Sequence, residues 1–162
     1  FNGMDPLHHR NPGIIGAAFH AGATVELICD GLHIHPEVIR MVHRLYGERL
    51  NLISDSLRCA GMPDGDYELG GQPITVKNGK ATLSGTDTLA GSSISVLDAL
   101  RNVVKFGVPL ADAVYAATTA PAQAARLTDI GVLAPGKRAD LLLLDRHLKL
   151  KAVFIDGKQL PV

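Results

Sequence analysis

Two acidic residues come directly after apolar stretches with the composition of buried strands. Asp55 follows "LNLIS" (50–54), and Asp30 follows "ATVELIC" (23–29). Active sites of parallel α/β folds, and of barrels above all, assemble where the carboxyl ends of the strands meet. A carboxylate at that edge is suited to general acid or base catalysis. The sequence therefore makes Asp55 a candidate catalytic residue, supported more by its position than by its residue type.

Asp30 opens a second polar stretch, "DGLHIHP" (30–36), whose residues have more than one interpretation. Asp30 followed by glycine also fits a plain turn in which the aspartate caps its own backbone. His33 fits either a hydrogen-bonded structural histidine or the inward-facing end of a strand. His35 stands directly before Pro36, which favours a role at the entry of a helix. The roles of these polar residues therefore stay open.

His8, His9 and Arg10 stand side by side in "DPLHHRNPG" (5–13), a loop bounded by proline and glycine. These donors suit a phosphate or a carboxylate, because arginine can direct two hydrogen bonds onto one anion. A solvated surface loop is the alternative. Neighbouring histidines on an extended loop point apart, and no acidic or cysteine ligand is spaced to complete a metal site. We therefore expect no metal site formed by this chain alone.

The stretch "TLAGSS" (88–93) is a run of small residues before a predicted helix. Free backbone N–H groups in such a loop can meet a polar ligand. The loop lacks the glycine and lysine pattern of a P-loop, so it does not indicate a nucleotide. Ser54 and Ser56 flank Asp55 outside any G-x-S-x-G motif, which removes the main reason to propose a serine hydrolase.

The elements that position these residues begin with a strand, a helix and a second strand. The strands are 23–29 and 50–54, and the helix is predicted from Pro36 to Gly47. Because both strands are almost continuously apolar, they indicate a parallel sheet that is covered on its faces. An antiparallel hairpin is predicted next, at about 66–84, since its Asn-Gly pair at 78–79 favours a type I′ turn.

Helices return after the hairpin, and strands end the chain. The first helix is predicted to be capped by Ser92 or Ser93, and two more are predicted to open at Pro109 and Thr119. The composition changes from helical and alanine-rich to strand-like near "GVLAPGKRAD" (131–140). Two strands follow, with a turn at residues 156–157.

Composition excludes several classes of function. The chain has 162 residues, of which 46% are hydrophobic and 20% charged, and its 16 basic residues equal its 16 acidic ones. This balance gives no support for binding nucleic acid or an anionic membrane surface. No apolar run approaches the roughly 20 residues that a bilayer requires.

Cys29 and Cys59 are too few for a disulfide framework and are expected to be buried thiols in a reducing cytosol. The given residues show no basic-then-apolar leader pattern, and we expect the chain to be the later part of a longer one.

Five motifs together resemble a known family. In order they are "FNGMDPLHHRNPG", "DGLHIHP", "LISDSLRCAG", "TLAGSS" and "GVLAPGKRADLLLLD". They resemble the C-terminal half of the N-acetylglucosamine-6-phosphate deacetylase family, in the amidohydrolase superfamily, over essentially the whole chain. The last motif is shared by many amidohydrolases, whereas the first two are far more specific to the deacetylases.

The resemblance implies a fold and its division into domains. Residues 1–137 would form the C-terminal part of a (β/α)₈ TIM-type barrel of the metal-dependent hydrolase kind, with the hairpin excursion at about 66–84. Residues 138–162 would form strands of a small β-sandwich domain.

The resemblance also implies a reaction: cytoplasmic, metal-dependent deacetylation of N-acetylglucosamine 6-phosphate to glucosamine 6-phosphate and acetate. Asp55 matches the catalytic aspartate, which takes a proton from the attacking water and returns one to the departing amine. Arg10 matches the phosphate-binding arginine, which would reach the neighbouring subunit's site in a homodimer. The positions that match substrate-binding residues are Asn2, Gly3, Arg10, Asp30, Gly31, Leu32, His33, Leu89, Ala90 and Gly91.

In this family a glutamate and two histidines hold a divalent ion, zinc or iron. The resemblance implies that these ligands lie upstream of residue 1, so we expect these 162 residues to be inactive alone. Two alternatives remain: another amidohydrolase acting on a different amide or cyclic amide, and a non-catalytic, oligomer-forming α/β fragment.

Overall fold

A computed structural model describes residues 1–161, which form five α-helices, one short 3₁₀ helix (Gly47–Arg49) and nine strands. The helices are α1 (Gly13–His20), α2 (Pro36–Tyr46), α3 (Val96–Lys105), α4 (Leu110–Ala117) and α5 (Thr119–Ala124). The strands are β1 (Val25–Ile28), β2 (Leu50–Ile53), β3 (Gly65–Leu69), β4 (Gln72–Lys77), β5 (Lys80–Leu83), β6 (Leu89–Gly91), β7 (Leu141–Leu144), β8 (Leu150–Ile155) and β9 (Lys158–Leu160). The predicted segment 138–162 extends to Val162, which lies outside the described residues.

The predicted strand, helix and strand are confirmed. β1 and β2 pair in parallel, with register from Val25 opposite Leu50 to Ile28 opposite Ile53, and α2 connects them. His35 is the N-cap of α2, since its ring Nδ1 accepts the backbone N–H of Glu37. The predicted helix-entry role of His35 is therefore confirmed.

The main core lies where α2, α3 and α4 pack on the two-stranded sheet. Leu27 and Leu52 contribute from the strands, while Ile39, Val103 and Ala113 contribute from the three helices, and all five are buried. These helices each present a small or branched apolar residue to the sheet, which is how helices cover a parallel sheet. The core therefore holds β1 and β2 against the three helices.

The antiparallel excursion is larger than the predicted hairpin. Strands β3 to β6 form a four-stranded sheet in sequence order. Asn78 and Gly79 have φ of 52° and 73°, so the predicted two-residue turn with both residues at positive φ is confirmed. A second small core, of Cys59, Ile74, Val76 and Ala81, lies beneath this sheet. The excursion is thus a structural unit with its own hydrophobic cluster.

The predicted start of α3 was wrong. Ser95, rather than Ser92 or Ser93, caps this helix: its side chain accepts the N–H of Asp98, and the Asp98 carboxylate accepts the N–H of Ser95. Ser92 is buried, and its hydroxyl oxygen accepts the N–H of Ile94 at 3.0 Å, before the helix begins. The reciprocal pair of bonds at Ser95 satisfies two backbone donors at the helix start, which a lone serine cannot do.

Two smaller differences concern α5 and α1. Thr118 is the N-cap residue of α5, so Thr119, predicted as its cap, lies in its first turn. The helix α1 was not predicted. It contains Gly13 and Gly16, which lower helix propensity, and its N-cap, Pro12, has no side-chain hydrogen bond.

The last three strands form an antiparallel sheet in the order β7, β8, β9. The predicted turn at Asp156 and Gly157 is confirmed, with φ of 48° and 73°. The guanidinium Nε of Arg101 in α3 donates to the carbonyl oxygen of Leu148, 2.9 Å away, and so joins the turn between β7 and β8 to the helical layer. None of the helices within residues 1–161 is long and apolar enough to cross a membrane.

Candidate active site

Asp30 and Asp55 leave the parallel sheet at the same edge. The last paired residues of β1 and β2 are Ile28 and Ile53. Asp30 lies two residues after Ile28, and Asp55 lies two residues after Ile53. Because the two strands are parallel and these distances are equal, both aspartates follow the sheet at the same end, the carboxyl end of the strands. This is the edge at which α/β enzymes assemble their sites.

Asp30 is a turn former and a partner of His33 at once. Its Oδ1 accepts the backbone N–H groups of Leu32 and His33, at 2.8 and 2.9 Å, and its Oδ2 lies 2.6 Å from Nδ1 of His33. The side chain of Asp30 is only 3% exposed. Burial alone raises the pKa of this carboxyl, but the hydrogen bonds from His33 and Leu32 outweigh burial and lower the pKa below its ordinary value.

The glycine after Asp30 is required by two features of this turn. Gly31 has φ of 76°, and a Cβ there would lie 3.0 Å from Cζ of Phe106. The ring of Phe106 therefore closes the turn from the α3 side. Leu32, predicted as a substrate contact, is half-exposed beside it.

His33 presents only one ring nitrogen outward. Its side chain is 10% exposed, and Nδ1 is engaged by Asp30. Among residues 1–161, Nε2 of His33 has no hydrogen-bond partner, and it is not among the buried unpaired polar atoms of the described chain. The His33 ring is therefore anchored on one side and available on the other.

Asp55 is held by its backbone and leaves its carboxylate unengaged. It has φ of 48°, and its carbonyl oxygen accepts the N–H of Ser92 at 3.1 Å. The N–H of Leu57 donates to the carbonyl oxygen of Ser92 at 2.8 Å. Asp55 is exposed, and no described side chain hydrogen-bonds its carboxylate. The carboxylate is thus free to meet a ligand.

The bonds of Ser92 with Asp55 and Leu57 place the end of the predicted pocket-lining stretch, residues 89–91, next to Asp55. Leu89, Ala90 and Gly91 form β6 rather than a loop, and Ser92 follows them directly. The expectation of free N–H groups in this stretch is wrong for Ser92, because its N–H is taken by Asp55. Gly91 has φ of 145°, and a Cβ there would lie 2.8 Å from Cδ2 of Leu57.

The N-terminal site residues make no bond to these carboxylates within residues 1–161. Asn2, Gly3 and Arg10 are exposed, and within the described chain no hydrogen bond or ion pair joins them to Asp30 or Asp55. The loop around Arg10 is a tight turn in which the N–H of Asn11 donates to the carbonyl oxygen of His8 at 3.1 Å. The ring centroids of His8 and His9 are 4.2 Å apart, with the rings tilted by 45°, so the expectation that these neighbouring side chains point apart was wrong.

One residue that the sequence did not single out fixes the edge. Nδ2 of Asn102 in α3 donates to the carbonyl oxygen of Cys29 at 2.9 Å, directly before Asp30. The two residues are 73 positions apart, so no local spacing could have signalled this contact. Cys29 and Cys59 are buried free thiols, as expected.

An apolar cavity lies elsewhere. It measures about 220 Å³, and its lining residues include Phe1, Ile15, Leu27 and Tyr46. None of the predicted site residues lines it. The described chain also contains no group of three His, Cys, Asp or Glu side chains able to hold a metal ion. These residues do not by themselves fit a metal centre.

Known proteins resemble the chain closely. Residues 16–160 match the Amidohydrolase family. A structure of N-acetyl-D-glucosamine-6-phosphate deacetylase from Mycobacterium smegmatis, in complex with N-acetyl-D-glucosamine-6-phosphate, is 40% identical with a TM-score of 0.91, over 98% of this chain and 43% of that one. A proposed N-acetylgalactosamine-6-phosphate deacetylase of Escherichia coli K12 is 41% identical, over 98% of this chain and 96% of that protein.

The chain is shorter than other relatives that it matches. The N-acetylglucosamine-6-phosphate deacetylase of Vibrio furnissii is 35% identical, and the match covers 98% of this chain but 40% of that protein. The family match spans most of the described residues, including both strands and both aspartates of the shared edge. The chain therefore belongs to the amidohydrolase family.

Proposed function

We propose that this chain supplies the acid/base half of a deacetylase active site. The proposed reaction is hydrolysis of the acetamide of N-acetylglucosamine 6-phosphate to glucosamine 6-phosphate and acetate. Support comes from the M. smegmatis deacetylase structure, which contains that substrate and resembles this chain with a TM-score of 0.91. In the whole enzyme, residues 1–137 would complete a (β/α)₈ barrel and residues 138–162 a small β-sandwich.

The observation that carries the proposal is the shared edge of Asp30 and Asp55. Both aspartates lie two residues beyond the paired ends of β1 and β2, yet their carboxylates differ. That of Asp30 is buried and fully engaged, whereas that of Asp55 is exposed and has no partner among the described side chains. A proton carrier needs a free carboxylate, which assigns this role to Asp55 in the proposal.

Asp55 would act twice in one turnover. Amide hydrolysis requires a base to take a proton from the attacking water and an acid to protonate the amine, which otherwise leaves poorly. A single carboxylate performs both transfers in turn, because the proton gained in the first step is the one given in the second. The sugar pocket would be lined by Leu89, Ala90 and Gly91. These residues directly precede Ser92, whose N–H is bonded to the carbonyl oxygen of Asp55.

The phosphate would be bound by the N-terminal loop. Arg10 is exposed, and its guanidinium has no acidic partner among residues 1–161, so its donors are free for an anion. Asn2 and Gly3 would contact the sugar phosphate beside it. No hydrogen bond or ion pair joins Arg10 to Asp55 within residues 1–161, and we propose a homodimer in which Arg10 serves the neighbouring subunit's site.

The proposed metal ligands lie outside the described residues. Enzymes of the amidohydrolase family are generally metal-dependent. Residues 1–161 contain no set of three suitable side chains, so the proposed ligands of a zinc or iron ion come from another part of the whole protein. The 162 residues alone would then be inactive. The buried free thiols of Cys29 and Cys59 fit a cytoplasmic enzyme.

A second candidate substrate is N-acetylgalactosamine 6-phosphate. It is supported by the E. coli O157:H7 N-acetylgalactosamine-6-phosphate deacetylase, which is 41% identical over 98% of this chain and 42% of that protein. The two sugars differ only in the orientation of one ring hydroxyl, so the same acid/base chemistry serves both.

Acetate release would test the proposal. The chain is assayed alone and joined to the upstream segment of the V. furnissii relative, with added zinc, on both phosphorylated sugars and on unphosphorylated N-acetylglucosamine. We expect turnover only by the joined protein and only on a phosphorylated sugar; the preferred epimer identifies the substrate. Turnover by the chain alone would contradict the proposal that the metal ligands come from another part of the whole protein. A folded, zinc-loaded joined protein without turnover would favour a non-catalytic α/β fragment.

A further inference from the structure

We propose that Asp30 is a positioning residue that fixes the tautomer of His33, keeping the ring proton on Nδ1 and presenting Nε2 as a hydrogen-bond acceptor at the edge shared with Asp55. The proposed consequence for substrate binding rests on the function proposed above. The tautomer itself does not depend on that function.

The hydrogen bonds at Asp30 favour one arrangement of protons. Oδ1 accepts two backbone N–H groups, those of Leu32 and His33, so it is occupied as an acceptor. Oδ2 lies 2.6 Å from Nδ1 of His33, a distance typical of a charge-assisted hydrogen bond. An ionised carboxylate has no proton to donate, so the proton between these two atoms belongs to Nδ1. The low pKa of the Asp30 carboxyl supports this ionised state.

The surroundings hold this pair in place. The Asp30 side chain is 3% exposed and that of His33 10%, so water has little access to compete for their hydrogen bond. Cys29, the preceding residue, is fully buried, and its carbonyl oxygen is bound by Asn102. On the other side, Gly31 turns the backbone beneath the ring of Phe106. Asp30 therefore orients His33 from a rigid support.

A fixed tautomer determines what His33 can recognise. In the neutral ring with its proton on Nδ1, Nε2 carries a lone pair and accepts hydrogen bonds. His33 would then select a donor on the ligand, such as a sugar hydroxyl or an amide N–H, and not a carbonyl or phosphate oxygen. Asp30, whose own oxygens are occupied, would act on the substrate only through His33.

Substitution of Asp30 by asparagine should reverse the tautomer. The asparagine carbonyl can keep both backbone N–H groups of Leu32 and His33, which leaves its NH₂ group facing Nδ1. An NH₂ group donates, so Nδ1 must become the acceptor and the ring proton must move to Nε2. Replacing a histidine-orienting aspartate by asparagine has this effect in serine proteases while leaving the geometry intact.

The experiment is long-range ¹H–¹⁵N correlation NMR of the 162-residue chain at about pH 8, where an ordinary histidine is neutral. His33→Gln identifies the His33 signals by their loss. We expect a protonated Nδ1 and an unprotonated Nε2 in the unsubstituted protein, and the reverse pattern in Asp30→Asn. An unsubstituted protein with its proton on Nε2 would overturn the proposal, and so would a folded Asp30→Asn protein with an unchanged pattern.

A matched control uses the other histidine and aspartate pair. Nε2 of His43 lies 2.9 Å from Oδ2 of Asp112, but these side chains are 19% and 50% exposed. Asp112→Asn should leave the His33 pattern unchanged; a change there would overturn the specific role of Asp30. If Asp30→Asn fails to fold, the unsubstituted spectrum still decides the tautomer. Because no turnover is measured, failure of the deacetylase proposal leaves this result intact.

Discussion

The backbone N–H of Ser92 donates a hydrogen bond to the carbonyl oxygen of Asp55, with 3.1 Å between the two atoms. The chain between them builds the four-stranded antiparallel sheet and then returns to its starting point. Asp55 is held at φ of 48°, a region that aspartate and asparagine tolerate better than most residues. The excursion therefore fixes the backbone of the candidate catalytic residue while its carboxylate stays exposed.

Asp55→Asn should remove activity without unfolding the protein. Asparagine fits the same backbone conformation but cannot exchange the proton, so we expect kcat for acetate release by the joined, metal-loaded enzyme to fall about 100-fold or more. Thermal unfolding should be nearly unchanged. Asp87→Asn is the control, since Asp87 is a fully exposed acid of the same excursion. Near-normal turnover by Asp55→Asn would contradict the acid/base role.

Arg10→Ala should weaken binding more than chemistry. If Arg10 holds the sugar phosphate, KM rises while kcat changes little. Steady-state kinetics on the phosphorylated sugar measure both, and Arg44→Ala, an exposed arginine of α2, is the matched control. A loss confined to kcat would contradict a binding role for Arg10.

Gly91→Ala should destabilise the junction between the excursion and β2. The new Cβ would lie 2.8 Å from Cδ2 of Leu57, and overpacking of this kind costs about 1–3 kcal/mol. Urea unfolding measures the loss. Gly85→Ala separates the steric clash from the backbone strain of a positive φ. Gly85 has φ of 79° but no atom within 4 Å of its added Cβ. The steric account fails if the two substitutions cost the same, or if adding Leu57→Ala recovers none of the stability.

Ser95→Ala should destabilise α3 by about 1 kcal/mol at neutral pH. Burial raises the pKa of Asp98, but its bonds with Ser95 and Arg101 outweigh burial and hold that pKa below its ordinary value of 3.8. A carboxyl with a lower pKa in the folded state stabilises fully above its ordinary pKa and loses this contribution as pH falls through the folded value. The stability difference between Ser95→Ala and the unsubstituted protein should therefore shrink in acid.

Urea unfolding at neutral pH and near pH 3 would measure this difference, with Ser95→Thr as the variant that keeps the cap. An equal cost at both pH values would show that the Asp98 carboxylate does not contribute to the cap.

Cys29 should resist alkylation in the folded protein. Burial and then the charge of Asp30 raise the pKa of its thiol to about 12, and the thiolate is the reactive form. Mass spectrometry after iodoacetamide treatment should find Cys29 unmodified in the native Cys59→Ser protein and modified after denaturation. Rapid native labelling would contradict the burial of this residue.

The sequence predicted the elements whose signals are local. Alternation of apolar strands with an amphipathic helix predicted β1, α2 and β2, and the Asn-Gly pair predicted the turn at residues 78–79. These signals succeed because strand burial and turn geometry depend on neighbouring residues. The position of Asp55 after β2 was predicted for the same reason.

What the sequence missed depends on distant partners. Three serines precede α3, and only the reciprocal bonds with Asp98 distinguish Ser95 as the cap; the acidic residue three positions later was the available signal. β6 pairs with β5 although it is only three residues long and includes Ala90 and Gly91, so composition gave no strand pattern. The double engagement of Asp30 and the bond from Asn102 to Cys29 arise only once the elements have packed.

The closed junction at Ser92 and Asp55 has a consequence for how this chain can change over evolutionary time. The chain leaves β2 and returns to it at one point, where Leu57 and Ser92 are hydrogen-bonded. Loop-closure entropy grows only logarithmically, by about 0.6 kcal/mol per doubling of length. Insertions and deletions in the turns between its strands therefore cost little and leave the spacing at its root unchanged. Chain length can vary in those turns without moving the residue on which the chemistry would depend.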